Sequence, residues 1–185
     1  MAVLRLKHAV SAVVLCVCVL WGPVSLGISP LSEYQVKAVY LFNFLNFVDW
    51  PEAVFAHPNS PMNLCILGED PFDKVIDLTF EGKMVGQRRV IIHRLHDMGL
   101  DQACHLLFIS ASEVERMVGI VGSVHNKPIL TIGDVKGFVN LNGMIQFVIV
   151  DNKIRFQVNR TAIKNASLYM SANLLRLAQP RSEAE

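Results

Sequence analysis

Four short apolar runs, each separated from the next by a connection, constrain this chain more than anything else in it. Residues 63–67 (NLCIL) end at Gly68, residues 89–93 (RVIIH) and 103–110 (ACHLLFIS) follow, and residues 128–132 (PILTI) are the fourth. Short apolar runs without polar alternation suit strands buried on both faces. Between them lie segments that read as helices. One runs from Asp70-Pro71 to about Leu78. Another is expected to start at Ser112, with Glu115 as its capping-box partner. Strands alternating with helices imply right-handed crossovers and an α/β fold built on a mostly parallel sheet.

The last quarter has a different pattern. Residues 144–150 (MIQFVIV), a tight Asp151-Asn152 turn and residues 153–158 (KIRFQV) predict a β-hairpin. Ile154, Phe156 and Val158 point one way, and Lys153, Arg155, Gln157 and Asn159 the other, which places that strand toward a sheet edge. A helix is expected from about Thr161. Leu168, Tyr169 and Met170 predict a brief extended segment, with Ser171 capping a terminal helix that carries Leu174, Leu175 and Leu177.

Ahead of the first strand stands EYQVKAVYLFNFLNFVDWP, residues 33–51, with six aromatic residues in nineteen positions. Its Glu33, Lys37, Asn43, Asn46 and Asp49 do not suit a lipid span. Helical spacing places Val36, Tyr40, Phe44, Phe47 and Val48 on one face, with Asn43, Asn46 and Asp49 on the other. Ser32 is a suitable N-cap, and the helix is expected to end at Trp50-Pro51. Its aromatics either close a core or offer a surface.

A second apolar run lies at the start of the chain. Arg5 and Lys7 precede an unbroken stretch of apolar or small residues from 9 to 20. Pro23 interrupts it, and Ser25-Leu26-Gly27 offers small residues where a signal peptidase reads. The run is short for a membrane span, which needs about 20 residues. The pattern predicts a cleaved signal peptide, residues 1–27, a single domain over 28–180 and a flexible tail, 181–185. Without Arg5 and Lys7 the 17 basic residues become 15 against 16 acidic ones, a formal charge of −1. Such a chain presents no basic field for nucleic acid or anionic lipid. Cys16 and Cys18 leave with the signal, so Cys65 and Cys104 remain in an oxidising compartment. In a 2-1-3 strand order their two strands are neighbours. Facing cysteines there can bond, or stay as two buried thiols.

Motifs for catalysis are missing. There is no P-loop and no GxGxxG after a strand, and no GxSxG elbow. His93 and His96 lack the HxxxH or CxxC company of a metal site. His105 beside Cys104 does not make a dyad, because neighbours on a strand face opposite ways. Asp134 and Lys136 follow the fourth strand, where an α/β sheet opens a ligand site, although solvated loop charges suit them equally. Asn159-Arg160-Thr161 and Asn165-Ala166-Ser167 match glycosylation sequons, which count only in a cell that glycosylates such sites.

In order and spacing, EYQVKAVYLFNFLNFVDWP, NLCILGEDPF, CHLLFIS, PILTIGDVKGFVNLNGMIQFVIVDNKIRFQVN and NLLRLA resemble the YfiR family (DUF4154) over nearly the whole chain after the signal. The resemblance implies a Rossmann-like three-layer sandwich, a homodimer and a periplasmic location. It implies a protein that represses an inner-membrane diguanylate cyclase through the periplasmic region of that enzyme, lowering cyclic-di-GMP signalling and biofilm formation. An OmpA-like outer-membrane lipoprotein is the implied sequestering partner. No catalysis, cofactor or metal is implied. The resemblance also implies a Cys65–Cys104 disulfide, because family members carry cysteines at these strand positions. Some members have a further pair around the segment that runs here from Gly137 to Phe147, which has none. Two alternatives are a periplasmic small-ligand sensor with a different output partner and a hydrolase with an unfamiliar site. A regulator without a catalytic centre acts through its surface, and Trp50, Leu168, Tyr169 and Met170 are the candidate interaction residues.

Overall fold

Residues 32–97, 99 and 103–180 are described by the computed structural model. The expected signal peptide, residues 28–31 and the tail lie outside them. The chain begins with helix α1 (Glu33–Phe47) and a short strand β1 (Val48–Asp49), followed by β2 (Met62–Leu67), α2 (Lys74–Phe80), β3 (Met84–Val85) and β4 (Arg88–Leu95). Next come β5 (Leu106–Ile109), α3 (Met117–Ser123), β6 (Leu130–Gly133), β7 (Ile145–Val150) and β8 (Lys153–Val158). Helix α4 (Arg160–Asn165), β9 (Tyr169–Met170) and α5 (Ala172–Leu177) close the chain.

Seven strands form one sheet in the order β3-β4-β2-β5-β6-β7-β8. β4, β2, β5, β6 and β7 run parallel, and β3 and β8 add antiparallel edges. The three N-terminal strands of the parallel set thus take the expected 2-1-3 order. β1 and β9 pair separately as a two-stranded ribbon.

Alternation along the central strands divides the core into two. Leu64, Ile66, Leu106 and Phe108 face a large cluster that includes Leu41, Phe44 and Leu45 of α1, Ile76 and Phe80 of α2 and Ile163 of α4. Cys65, Leu67, Leu107 and Ile109 face a smaller cluster with Met117 and Val121 of α3 and Phe138. Helices therefore cover both sides, which makes three layers. Each buried Leu, Ile or Phe contributes about 1.5–3 kcal/mol, so the central strands anchor the fold. The hairpin turns at Asp151 and Asn152, whose φ values of 49° and 55° are those of a type I′ turn.

Several local expectations are corrected. Helix α1 ends at Phe47, short of Trp50-Pro51, because Val48 and Asp49 pair antiparallel with Met170 and Tyr169. The Ser171 amide donates to the Phe47 carbonyl at 2.9 Å, so tertiary pairing competes successfully with a last helical turn. The buried stripe of α1 is Lys37, Ala38, Leu41, Phe44 and Leu45, and not the expected Val36-Tyr40-Phe44-Phe47 face. The apolar face of this helix is wide, so periodicity leaves the inward stripe open and the packed neighbours choose it. α2 starts at Lys74 and not at Asp70, whose carboxylate accepts from the Phe72 amide in a turn at 2.8 Å. Ser112 does not cap a helix: Ser110 caps the 3₁₀ turn Ala111–Glu113, and α3 begins only at Met117.

Candidate interaction and ligand surfaces

In an open α/β sheet the crevice at the carboxyl ends of the strands, where strand order reverses, is the usual ligand site. Here that point lies between β2 and β5, and the chain fills it with its own side chains. The Glu69 amide donates to Ser112 Oγ at 2.9 Å across the crevice. Glu113 is buried and paired with Arg116 at 2.6 Å, and Arg116 also holds Asp97 at 2.7 Å. Gly68, at φ +91°, passes so close that a Cβ there would lie 2.8 Å from a Glu113 carboxylate oxygen.

The second opening lies beside β6. Asp134 is not a solvated loop charge: its side chain is 8% exposed and that of Lys37 is 4% exposed. Lys37 Nζ lies 2.6 Å from Asp134 Oδ2 and 2.5 Å from Glu33 Oε1. The Tyr34 hydroxyl donates to the same Asp134 oxygen at 3.1 Å. Burial alone would lower the Lys37 pKa, but its hydrogen bonds to Asp134 and Glu33 outweigh that and raise it. Burial, followed by the Asp134 charge, raises that of Tyr34. The group ties the first turns of α1 to the end of β6. Glu33, Lys37 and Asp134 line a cavity of about 400 Å³ together with Lys136, Gln146, Phe147, Ile149 and Ile154.

At the opposite end of the sheet, Trp50 Nε1–H donates to the His105 carbonyl at 3.2 Å. Phe55 stacks on the His105 ring with centroids 4.7 Å apart, and the Arg88 guanidinium sits 3.6 Å over Phe55. His105 Nδ1 accepts from the Asn63 amide at 3.0 Å, which puts the proton of the neutral ring on Nε2. Burial, then the Arg88 charge, pushes the His105 pKa down to about 4.

These packings relocate most of the expected interaction residues. Trp50 is 9% exposed, Leu168 6% and Met170 4%, so all three belong to the core. Tyr169 alone of the four stands out, at 66%. The reason is the strand alternation itself: Met170 turns inward opposite Val48, so Tyr169 turns outward opposite Asp49. Phe47 joins it at 43% exposure, next to Val48 in the ribbon. The sequence left open whether the aromatics of this helix close a core or offer a surface, and no local signal marks Phe47 as the exposed one.

Cys65 and Cys104 form a disulfide with Cα atoms 5.8 Å apart. Both residues are buried against the α3 side of the sheet. A family model described as YfiR/HmsC-like (DUF4154) matches residues 34–179. The chain belongs to this family. No curated protein matches it. YfiR-like proteins are periplasmic regulators of cyclic-di-GMP signalling, and the family is one of regulatory proteins. Among the described residues no helix is long and apolar enough to cross a membrane, and no cluster of three metal-ligating side chains occurs. The segment from Gly137 to Phe147, which holds no cysteine, is tied down by hydrogen bonds. The Val139 amide donates to Gln146 Oε1 at 3.3 Å, the Met144 amide to Thr131 Oγ1 at 3.1 Å, and Asn159 Nδ2 to the Val139 carbonyl at 3.2 Å. Phe138 packs beneath them, and a methyl group at Gly143 would overlap its ring.

Proposed function

We propose that this YfiR-like chain is a periplasmic binding protein that represses an inner-membrane diguanylate cyclase by docking on the periplasmic region of that enzyme. The family match over residues 34–179 carries this reading. The exposed Phe47, at the end of α1, and Tyr169, in the adjoining β1–β9 ribbon, supply its most specific surface, since aromatic side chains are among the residue types that dominate interfaces. The protein acts as a homodimer, without catalysis or cofactor, and an OmpA-like outer-membrane lipoprotein relieves repression by sequestering it. Deleting the gene is expected to raise cyclic-di-GMP and surface attachment, and the rise is expected to vanish when the partner cyclase is deleted too. Unchanged cyclic-di-GMP in the single deletion, with the protein shown to be expressed in the parent strain, overturns the proposal.

The cavity beside Asp134 supports a second reading, a small-ligand sensor with another output partner. The two readings separate in a pull-down from periplasm followed by mass spectrometry: recovery of a membrane protein with a diguanylate cyclase domain supports the first.

A further inference from the structure

We infer that the hollow between α1 and the edge strand β8 binds a carboxylate carrying an apolar chain. A cation standing over an apolar floor points to that chemistry. The Ile154 carbonyl, on the edge strand of the sheet, accepts from the Tyr40 hydroxyl at 3.4 Å and from Arg155 Nη1 at 3.2 Å. Side chains alternate along a strand, so Arg155 leaves β8 on the face opposite Ile154. Its guanidinium returns over the edge to reach that carbonyl, and so stands beside Tyr40 in the wall of the hollow. A guanidinium is a planar fork of N–H donors. Arg155 makes no ion pair among the described residues. The floor is apolar. Ile149 and Ile154 lie directly opposite each other in the hairpin, on one face. With Val36 and Tyr40 of α1 they line a hollow of about 520 Å³, within the range of small-molecule sites. Ile149 is 62% exposed there, an apolar strand residue without a cover.

The hollow shares Glu33, Ile149 and Ile154 with the cavity beside Asp134. Across the two, Lys37, Lys136, Lys153 and Arg155 stand against Glu33 and Asp134, four cations against two carboxylates and a net +2. Both carboxylates are already engaged by Lys37, at 2.5 and 2.6 Å. Lys136 and Lys153, like Arg155, make no ion pair among the described residues. Such a lining repels an ammonium and attracts an anion. A neutral alcohol would leave the guanidinium without its counter-charge, and a small anion would leave Ile149 bare. A carboxylate accepts two parallel N–H bonds from the fork, Lys153 adds a second positive charge, and the chain lies over Val36, Ile149 and Ile154. This names a ligand class for the sensor reading and leaves the cyclase reading untouched. Titration of the isolated protein measures the site alone, whereas cyclic-di-GMP in the deletion strain measures output.

The experiment is calorimetric titration of the protein purified from periplasm with octanoate, octanol, octylamine and acetate, in a buffer without phosphate. Octanoate is expected to bind saturably, at least about tenfold more tightly than each of the others, a difference of about 1.4 kcal/mol. Arg155→Gln removes the charge and is expected to weaken octanoate about tenfold or more. Arg155→Lys keeps the charge without the fork, and its affinity is expected to fall between those of wild type and Arg155→Gln. Ile149→Ser, a change at an exposed residue, is expected to weaken octanoate by removing part of the floor, and decides the matter if the Arg155 variants do not fold. Circular dichroism checks the fold of each. The proposal is overturned if octanoate does not saturate, if octanol, octylamine or acetate binds as tightly, or if folded Arg155→Gln or Ile149→Ser binds octanoate as wild type does.

Discussion

His105 is a base enclosed by rings and a cation. Its neutral form accepts from the Asn63 amide and stacks on Phe55, and protonation would place a second positive charge near Arg88. Because the folded-state pKa, about 4, lies below the ordinary 6.5, the unfolded chain binds a proton that the folded chain refuses. Stability from this residue is complete above about pH 6.5 and is lost as pH falls from there toward about 4, by roughly 2 kcal/mol after allowance for solvent screening. Urea unfolding of the wild type against His105→Gln between pH 7 and 4 measures it: the slope over this window is expected to flatten in the variant. Residues in and next to the β1–β9 ribbon separate core from surface. Trp50→Ala removes a buried ring and its indole hydrogen bond, and is expected to lower stability by about 3–5 kcal/mol. Tyr169→Ala touches an exposed residue and is expected to stay within about 0.5 kcal/mol of wild type. If Tyr169 also serves the partner surface, the same substitution weakens dimerisation or repression by more than about 1 kcal/mol. A large loss of stability in Tyr169→Ala would place it in the core and remove it from that role.

Helix α1 is secured at its start by two devices of different strength. The Ser32 hydroxyl accepts from the Gln35 amide, and Gln35 Oε1 accepts from the Ser32 amide, a complete capping box. Ser32→Ala is therefore expected to cost about 1 kcal/mol. One turn later Lys37 joins the helix to Asp134. Replacing Lys37 by Met leaves Asp134 buried without its cation, and an uncompensated buried charge costs about 3–5 kcal/mol. The double variant Lys37→Met/Asp134→Leu removes both charges and is expected to recover most of that loss. Denaturant midpoints of the three variants check the order. A Lys37→Met protein as stable as wild type would show that the pair contributes nothing to holding α1.

Across the whole molecule, Cys65–Cys104 closes a loop between residues 39 apart in sequence. In the chain-entropy model a loop of that length contributes about 4 kcal/mol. Cys65→Ser is then expected to lower Tm by roughly 10 °C, at about 2–4 °C per kcal/mol for a domain of this size. Alkylation of protein taken directly from periplasm is expected to label neither cysteine. Because Cys65 and Cys104 are the only cysteines that follow Cys18 in the sequence, every thiol–disulfide response of residues after Cys18 must pass through the one bridge. A reductant-dependent change in activity that persists in Cys65→Ser/Cys104→Ser would contradict that.

Strand positions were legible in the sequence: β2, β5 and β6 are buried parallel strands, which read as short apolar runs, and β4 and the β7–β8 hairpin, though less buried, also lie where their apolar runs predict them. The Asp151-Asn152 turn, the extended break at Leu168–Met170 and the Ser171 cap were legible for the same kind of reason, since local backbone chemistry decides them. Which residues meet across the fold was not. The apolar face of helix α1 is wide, so its sequence does not say which part of it faces the sheet, and the packed core turned Lys37 in and Phe47 out. Trp50 looked like a surface anchor because it follows the helix, but pairing of β1 with β9 carries it onto the His105 carbonyl. Lys37 and Asp134 are 97 residues apart, and no spacing rule links them. Sequence period reports what a segment can form by itself, whereas the partner of a buried charge or an aromatic ring is chosen by long-range contacts that exist only once the sheet has closed around it.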